Sequence, residues 1–167
     1  MTNHEPNDAI EIVLVDDNLA DQEIARRVFG SQANVCKLRV LSDGQQALSY
    51  LDSNRRNDVS EKELPDLILM DINMPRLSGI EVLRSIKADK ALQHIPVLML
   101  TTSSLESDIQ DSYRSGCSSY ILKPMTVPQF SSLLAQLLHY WTRVATLPDR
   151  MNRDHADVSW ALPGGSL

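Results

Sequence analysis

LILMDINMP, residues 67–75, runs four apolar residues straight into an aspartate, followed by an asparagine, a methionine and a proline. Consecutive apolar side chains without polar alternation fit a strand covered on both faces, the pattern of a parallel sheet. Such a strand ends in a charge only where the carboxylate finds a partner, because burying an unpaired carboxylate is costly. The surrounding runs are of the same kind: IEIVLVD (10–16), NVCKLRV (34–40), DLILMD (66–71), IPVLMLT (95–101) and SSYIL (118–122). Five short apolar strands are therefore expected, with Asp71 at the end of the third.

Helical patterns separate the strands. The first helix follows Asn18, an N-cap candidate with Asp21 three residues on, and turns Ile24, Val28 and Phe29 inward. The second spans about Gly44 to Asp52, with Ala47, Leu48 and Leu51 inward. The third spans about Ser78 to Lys90, with Ile80, Leu83 and Ile86 on one stripe. The fourth is expected to start at Ser103, with Glu106 completing a capping box, to carry Leu105, Ile109 and Tyr113 inward, and to stop at Gly116. The fifth starts near Thr126, has Pro128 in its first turn and runs to about Val144. Its stripe is Phe130, Leu133, Leu134, Leu137, Leu138 and Trp141. Strict alternation of strands and helices means βαβ units, hence a doubly wound α/β fold with a parallel sheet. Residues 53–64 read as a long polar loop before the third strand, and the pair Arg55-Arg56 within it as a solvated stretch among acids. The organisation expected is an N-terminal extension (1–9), one domain (10–147) and a tail (148–167) rich in Pro, Gly and charge.

The totals set limits. The chain has 167 residues, 43% of them hydrophobic, which suits one domain with a full core. Lys plus Arg number 16 and Asp plus Glu 22, for a net charge of −6, which argues against nucleic acid as a partner. No apolar run is long enough for a membrane span, and MTNHEPNDA has no signal-peptide core, so the expected location is cytoplasmic. Cys36 and Cys117 form no CxxC and read as free thiols; the four histidines have no ligand spacing, which argues against zinc.

In open α/β sheets the working groups lie just beyond the carboxyl ends of the strands. Those ends deliver Asp16-Asp17, Asp71, Thr101-Thr102 and Lys123-Pro124. If strands one and three are neighbours, three carboxylates converge, and they stay ionised together only around a cation. A hard divalent ion such as Mg²⁺ suits an all-oxygen site and shares its sphere readily with a phosphate. The rest of the set fits phosphoryl transfer. A carboxylate can attack phosphorus, Lys123 supplies positive charge, the Thr101 hydroxyl can donate to a phosphoryl oxygen, and the Asn73 carbonyl can complete the metal shell. Singly, each residue also reads as a turn, cap or surface residue. Four strands delivering acid, acid, hydroxyl and amine to one edge make the joint reading the stronger one.

With these residues in order, VLVDDN (13–18), LILMDINMPRLSGIEVLRSIK (67–87), PVLMLTT (96–102) and YILKP (120–124), the chain resembles the receiver domains of two-component response regulators. The resemblance implies a flavodoxin-like (βα)5 fold with sheet order 2-1-3-4-5 and phosphorylation of Asp71 by a histidine kinase. It also implies Mg²⁺ at Asp16, Asp17, Asp71 and the Asn73 carbonyl. Thr101 and Tyr120 match the two switch positions, which implies a signal carried on the helix 4, strand 5 and helix 5 face. Lys123-Pro124 matches a peptide bond that is cis in most receivers. The long loop in YLDSNRRNDVSEKELPDLILMDINMP, the stretch LTTSSLESDIQDSYRSGCSSYILKP and the ending HYWTRVATLP are similar to single-domain regulators that pair with bacterial phytochrome kinases. Thr102, in place of a smaller residue, and Met125, in place of an aromatic, depart from the usual receiver pattern.

The leading reading is thus a phosphoacceptor signalling protein without small-molecule turnover. The alternative is a phosphohydrolase of the haloacid dehalogenase type with Asp71 as nucleophile. Those enzymes carry a second Asp two positions on, where this chain has Asn73. A flavodoxin-like cofactor binder lacks its Gly-rich phosphate loop here. A tail of this length is too short for an output domain, so the signal is expected to pass to a downstream protein or phosphotransfer partner. Tyr140, Trp141 and Val144 at the end of helix 5 are the expected surface of a homodimer.

Overall fold

The computed structural model describes residues 9–56 and 64–148, the side chains of 55 and 56 excepted. Five strands, β1 (Ile10–Val15), β2 (Cys36–Leu41), β3 (Leu67–Met70), β4 (Val97–Thr101) and β5 (Ser119–Leu122), form one parallel sheet in the order β2-β1-β3-β4-β5. Between and after them lie α1 (Leu19–Gly30), α2 (Gly44–Arg56), α3 (Gly79–Ala88), α4 (Glu106–Arg114) and α5 (Val127–His139). This is the doubly wound α/β architecture and strand order expected. The expected extension (1–9) and tail (148–167) fall almost wholly outside the described residues.

Alternation along the strands builds two cores. Val13, Val15, Ile68, Met70, Val97 and Met99 face α2 and α3, against Ala47, Leu51, Val82, Leu83 and Ile86. Ile12, Leu14, Leu67, Leu69, Leu98 and Leu100 face α1 and α5, against Ala25, Phe29, Phe130, Leu134 and Leu138. A strand covered on both faces has no place for a polar side chain, which is why β1, β3 and β4 are apolar at nearly every position. Register fixes the working edge. Val15 pairs with Met70 on one side and Leu41 on the other, and Thr101 pairs with Leu122. Asp16 and Asp71 are therefore each the first residue past a paired strand end.

Several local expectations change. The buried line of α1 is Gln22, Ala25 and Phe29, with Ile24 and Val28 only half-buried at its side. A glutamine can hold an inner position because its Nε2 donates to the Asp16 carbonyl (2.6 Å) and to Ser42 Oγ (3.3 Å). Helix α2 continues to Arg56, so residues 53–56, Arg55 and Arg56 included, belong to a helix and not to the expected loop. Helix α4 begins at Glu106 with Leu105 at the cap position and no side-chain cap; Ser103, two residues earlier, donates its hydroxyl to Asp108 (2.5 Å) and accepts from the Leu105 N–H (3.4 Å). It packs at the sheet edge against α3 and β5 and buries only Ser112, which leaves Leu105 and Tyr113 exposed. Helix α5 ends at His139 and passes into a single π-helical turn, Tyr140–Val144, closed by Ala145 N–H donating to the Tyr140 carbonyl (2.8 Å). Trp141 is half-buried against the α1/α5 core and meets Tyr140 edge-on at 5.4 Å. The wider turn swings Trp141 back over its own domain and leaves Tyr140 and Val144 outermost, 49% and 62% exposed.

Candidate functional site

The site is assembled by three strand ends and the first turn of α1. Asp16 is completely buried and Asp71 is 8% exposed, while Asp17 faces solvent. One carboxylate oxygen from each of Asp16, Asp17 and Asp71 falls within 4.8 Å of the others. Lys123 reaches in from the end of β5, where its N–H donates to the Thr101 carbonyl (2.8 Å). Its Nζ donates to Asp16 Oδ2 (2.6 Å), Asp21 Oδ2 (2.9 Å) and Asp71 Oδ2 (3.2 Å). The lysine and the buried aspartates of strands one and three, far apart in the chain, thus meet as the strand-end reading expects.

The electrostatics follow from burial. Removal from water raises the Asp16 carboxyl above the usual carboxylate range, against the opposing pull of the hydrogen bond and charge of Lys123 and of the Asn18 N–H. Burial also disfavours the Lys123 ammonium. Its hydrogen bonds to Asp16 and Asp21 and the charges of Asp16 and Asp71 more than reverse that, and the amine is held above its ordinary value. Asp71 Oδ2 has the lysine, but Asp71 Oδ1 is buried without a hydrogen-bond partner. A buried carboxylate oxygen left unpaired costs roughly 1–3 kcal/mol or more. The orphaned oxygen, set among two more carboxylates, fits a divalent cation and an electrophile such as phosphorus.

The switch candidates lie beside it. Thr101 is buried, and its Oγ1 accepts from the Ser103 N–H (3.2 Å). A hydroxyl keeps one donor, so Thr101 can still donate to an incoming oxygen. Tyr120 is half-buried, and its hydroxyl donates to the Ser103 carbonyl (2.8 Å). Ser103 therefore touches both, and a shift of Thr101 is felt at Tyr120 through one residue. The Lys123–Pro124 bond is trans, not the cis form implied by the resemblance. Trans is the easier isomer by about 0.5–1 kcal/mol, and Nζ reaches all three carboxylates from it. Asn73 is exposed on the turn after β3, Thr102 is exposed next to Thr101, and Met125 is exposed two residues past Lys123.

Three contributors escaped sequence reasoning. Asp21 reads as a helix-start residue, and its signal, an acid one turn past Asp16-Asp17, is too common to single out. Gln22 supports the Asp16 carbonyl from an unexpected inner position. Gly79 is the third: a Cβ there lies 1.9 Å from the Asp71 carbonyl oxygen, so only glycine lets the start of α3 press on the end of β3.

Comparison with known proteins identifies the family. The model of the response regulator receiver domain matches residues 12–135. The response regulator Rcp1 of Synechocystis is 33% identical over 144 residues, covering 86% of this chain and 97% of Rcp1. The phosphorylated cyanobacterial phytochrome response regulator RcpA superimposes with a TM-score of 0.78 at 34% identity, covering 84% of this chain and 99% of RcpA. The Mn²⁺-bound form of Rcp1 superimposes with a TM-score of 0.76 at 31% identity, covering 84% and 99%. The phosphohydrolase alternative falls with these matches, and Asn73 already counted against it. The chain belongs to the response regulator receiver family, a family of signalling proteins.

Proposed function

We propose that this receiver protein takes a phosphoryl group from the phosphohistidine of a histidine kinase onto Asp71. The observation that carries the assignment is Asp71 Oδ1, buried, unpartnered and flanked by the Asp16 and Asp17 carboxylates. In the transfer, an Oδ1 lone pair forms the new O–P bond. The P–N bond of the donor breaks, its electron pair returning to the imidazole nitrogen. Mg²⁺, held by Asp16, Asp17, Asp71 and the Asn73 carbonyl, supplies neutralisation of the phosphoryl charge when bound. Lys123 offers N–H donors to a phosphoryl oxygen, and Thr101 donates its hydroxyl to another. Both contacts exist only with the phosphoryl group present, and such a difference is what shifts a two-state population.

Thr101 then draws on Ser103, and Tyr120, bonded to the same residue, reports on the face made by α4, β5 and α5. Loss of the phosphoryl group is self-catalysed at the same site, with no small-molecule turnover. The partners are a histidine kinase, by likeness to RcpA a bacteriophytochrome, and a downstream protein or phosphotransfer partner, all in the cytoplasm. No helix among the described residues is long and apolar enough to cross a membrane. A homodimer forms through the end of α5, with Tyr140 and Val144 leading and Trp141 at their back. Burying large apolar side chains yields roughly 1.5–3 kcal/mol each. Two-fold symmetry counts each contact twice, against about 4–15 kcal/mol lost on association. Gain and loss are of similar size, so the dimer proposed is a weak, micromolar one rather than an obligate one. The functional unit spans residues 10–147.

The test is labelling by a small acyl phosphate. Wild type takes up phosphate only with Mg²⁺, Asp71→Asn takes up none, and Asp17→Ala no longer responds to Mg²⁺. Label that stays on Asp71→Asn defeats the assignment.

A further inference from the structure

Asp21 differs from the other carboxylates around Lys123. The ammonium has three hydrogens, and three carboxylates accept from it. Asp16 and Asp71 also belong to the carboxylate group suited to a cation, whereas Asp21 does not. Two of the lysine's partners are therefore also placed to hold a divalent ion, and one is not. Ammonium and ion both seek oxygens of Asp16 and Asp71, and like charges at that distance repel strongly in a pocket shielded from water. Asp21 is held at its backbone by the start of α1. It sits in the first turn of α1, where its N–H donates to Asn18 Oδ1 (3.1 Å). Lys123 is fixed at its backbone by the Thr101 carbonyl, so only its side-chain stem can swing between partners.

We infer that Asp21 is a positioning residue for Lys123. It draws the ammonium to the α1 side of the pocket and leaves the Asp16 and Asp71 oxygens to the metal. It also keeps the amine beside Asp71, where a phosphoryl oxygen arrives. Of the three partners it is the one whose claim on Lys123 stays the same before metal, with metal and after phosphorylation. This role rests on the reading of the Asp16–Asp17–Asp71 group as a divalent cation site.

The experiment is a double-mutant cycle on Mg²⁺ affinity, by calorimetric titration of the full chain with Mg²⁺ alone. In the wild-type background, Asp21→Asn lets Lys123 settle on Asp16 and Asp71 and weakens Mg²⁺ binding by about tenfold, a size within the range for members of one ion-pair network. Asp21→Glu, with the same charge one methylene further out, recovers most of that loss. Lys123→Ala removes the competing ammonium and tightens Mg²⁺ binding. In that background Asp21→Asn changes the affinity by less than about twofold, as distant, independent sites do. An equal loss in both backgrounds makes Asp21 a direct contributor to the ion's field and overturns the positioning role. No loss in either background makes it a surface acid and overturns it too. Failure of the wild-type chain to bind Mg²⁺ at all brings down the cation site itself, a distinct result.

Discussion

Gly79→Ala tests whether the start of α3 sets the position of Asp71. The new Cβ lies 1.9 Å from the Asp71 carbonyl oxygen, 2.8 Å from its carbonyl carbon and 2.9 Å from Met70 Cγ. Two of the three clashing atoms are backbone, so no rotamer change relieves them, and α3 or the end of β3 must move by at least about 1 Å. The movement stretches the bond from the Gly79 N–H to the Ile72 carbonyl, now 2.9 Å. Overpacking of this kind costs about 1–3 kcal/mol, and the hydrogen bond about 1 kcal/mol more. The sum, about 2–4 kcal/mol, is a large share of the roughly 5–15 kcal/mol that holds a domain together. Urea denaturation reads it as a midpoint lowered by about 1–2 M, at a slope of about 2 kcal/mol per molar. If Asp71 takes up part of the displacement, phosphorylation by an acyl phosphate slows by up to about 10²-fold in the folded variant. Gly30→Ala is the control: nothing lies within 4 Å of its added Cβ at the end of α1, and a change of about 0.5–1 kcal/mol toward greater stability is expected. A Gly79→Ala protein with wild-type stability refutes the close approach. Lowered stability with an unchanged phosphorylation rate refutes the link to Asp71.

Thr101→Ala is expected to accept phosphate but not to transmit it, since Ser103 and Tyr120 then lose the hydroxyl that responds to the phosphoryl group; full downstream activity in that variant counts against the relay. Burial pushes the Cys36 thiol up to about 11 from 9.0, a folded value above the unfolded one. Its contribution is therefore complete below about pH 9 and is lost as the pH rises through about 11, by up to about 3 kcal/mol at ~1.4 kcal/mol per tenfold change in proton affinity. The stability gap between wild type and Cys36→Ala should narrow over that window, and a gap constant from pH 8 to 11 rejects the effect. Sizing across dilution, with and without a beryllofluoride mimic, should show a micromolar dimer that Tyr140→Ala and Val144→Ala weaken; a strict monomer at high concentration in both states rules it out.

The layers of this protein and the residues of its working edge are written in the order of its amino acids. Apolar runs such as LILM and VLML can be satisfied only by cover on both faces, and short strands alternating with helical stripes leave the doubly wound sheet as the solution. In such a sheet the residues just past each strand gather at one edge, so Asp16, Asp17, Asp71, Thr101 and Lys123 were legible as a set. Local signals failed where a distant group won the competition for a side chain. Ser103 bonds Asp108 and the Leu105 N–H and stands two residues ahead of the α4 cap position, Gln22 is buried because Asp16 and Ser42 satisfy it, and the turn after α5 rotates Trp141 inward. Which oxygens meet the lysine was a matter for the folded chain alone. Spacing along a chain carries no distance between strand ends, and hydrogen bonds of 2.6–3.2 Å depend on strand register and on how deeply α1 and α3 seat against the sheet. That is why Asp21, a helix-start residue in the sequence, is a partner of Lys123 in the fold. It is also why Gly79, one small residue among many, governs how closely α3 approaches Asp71.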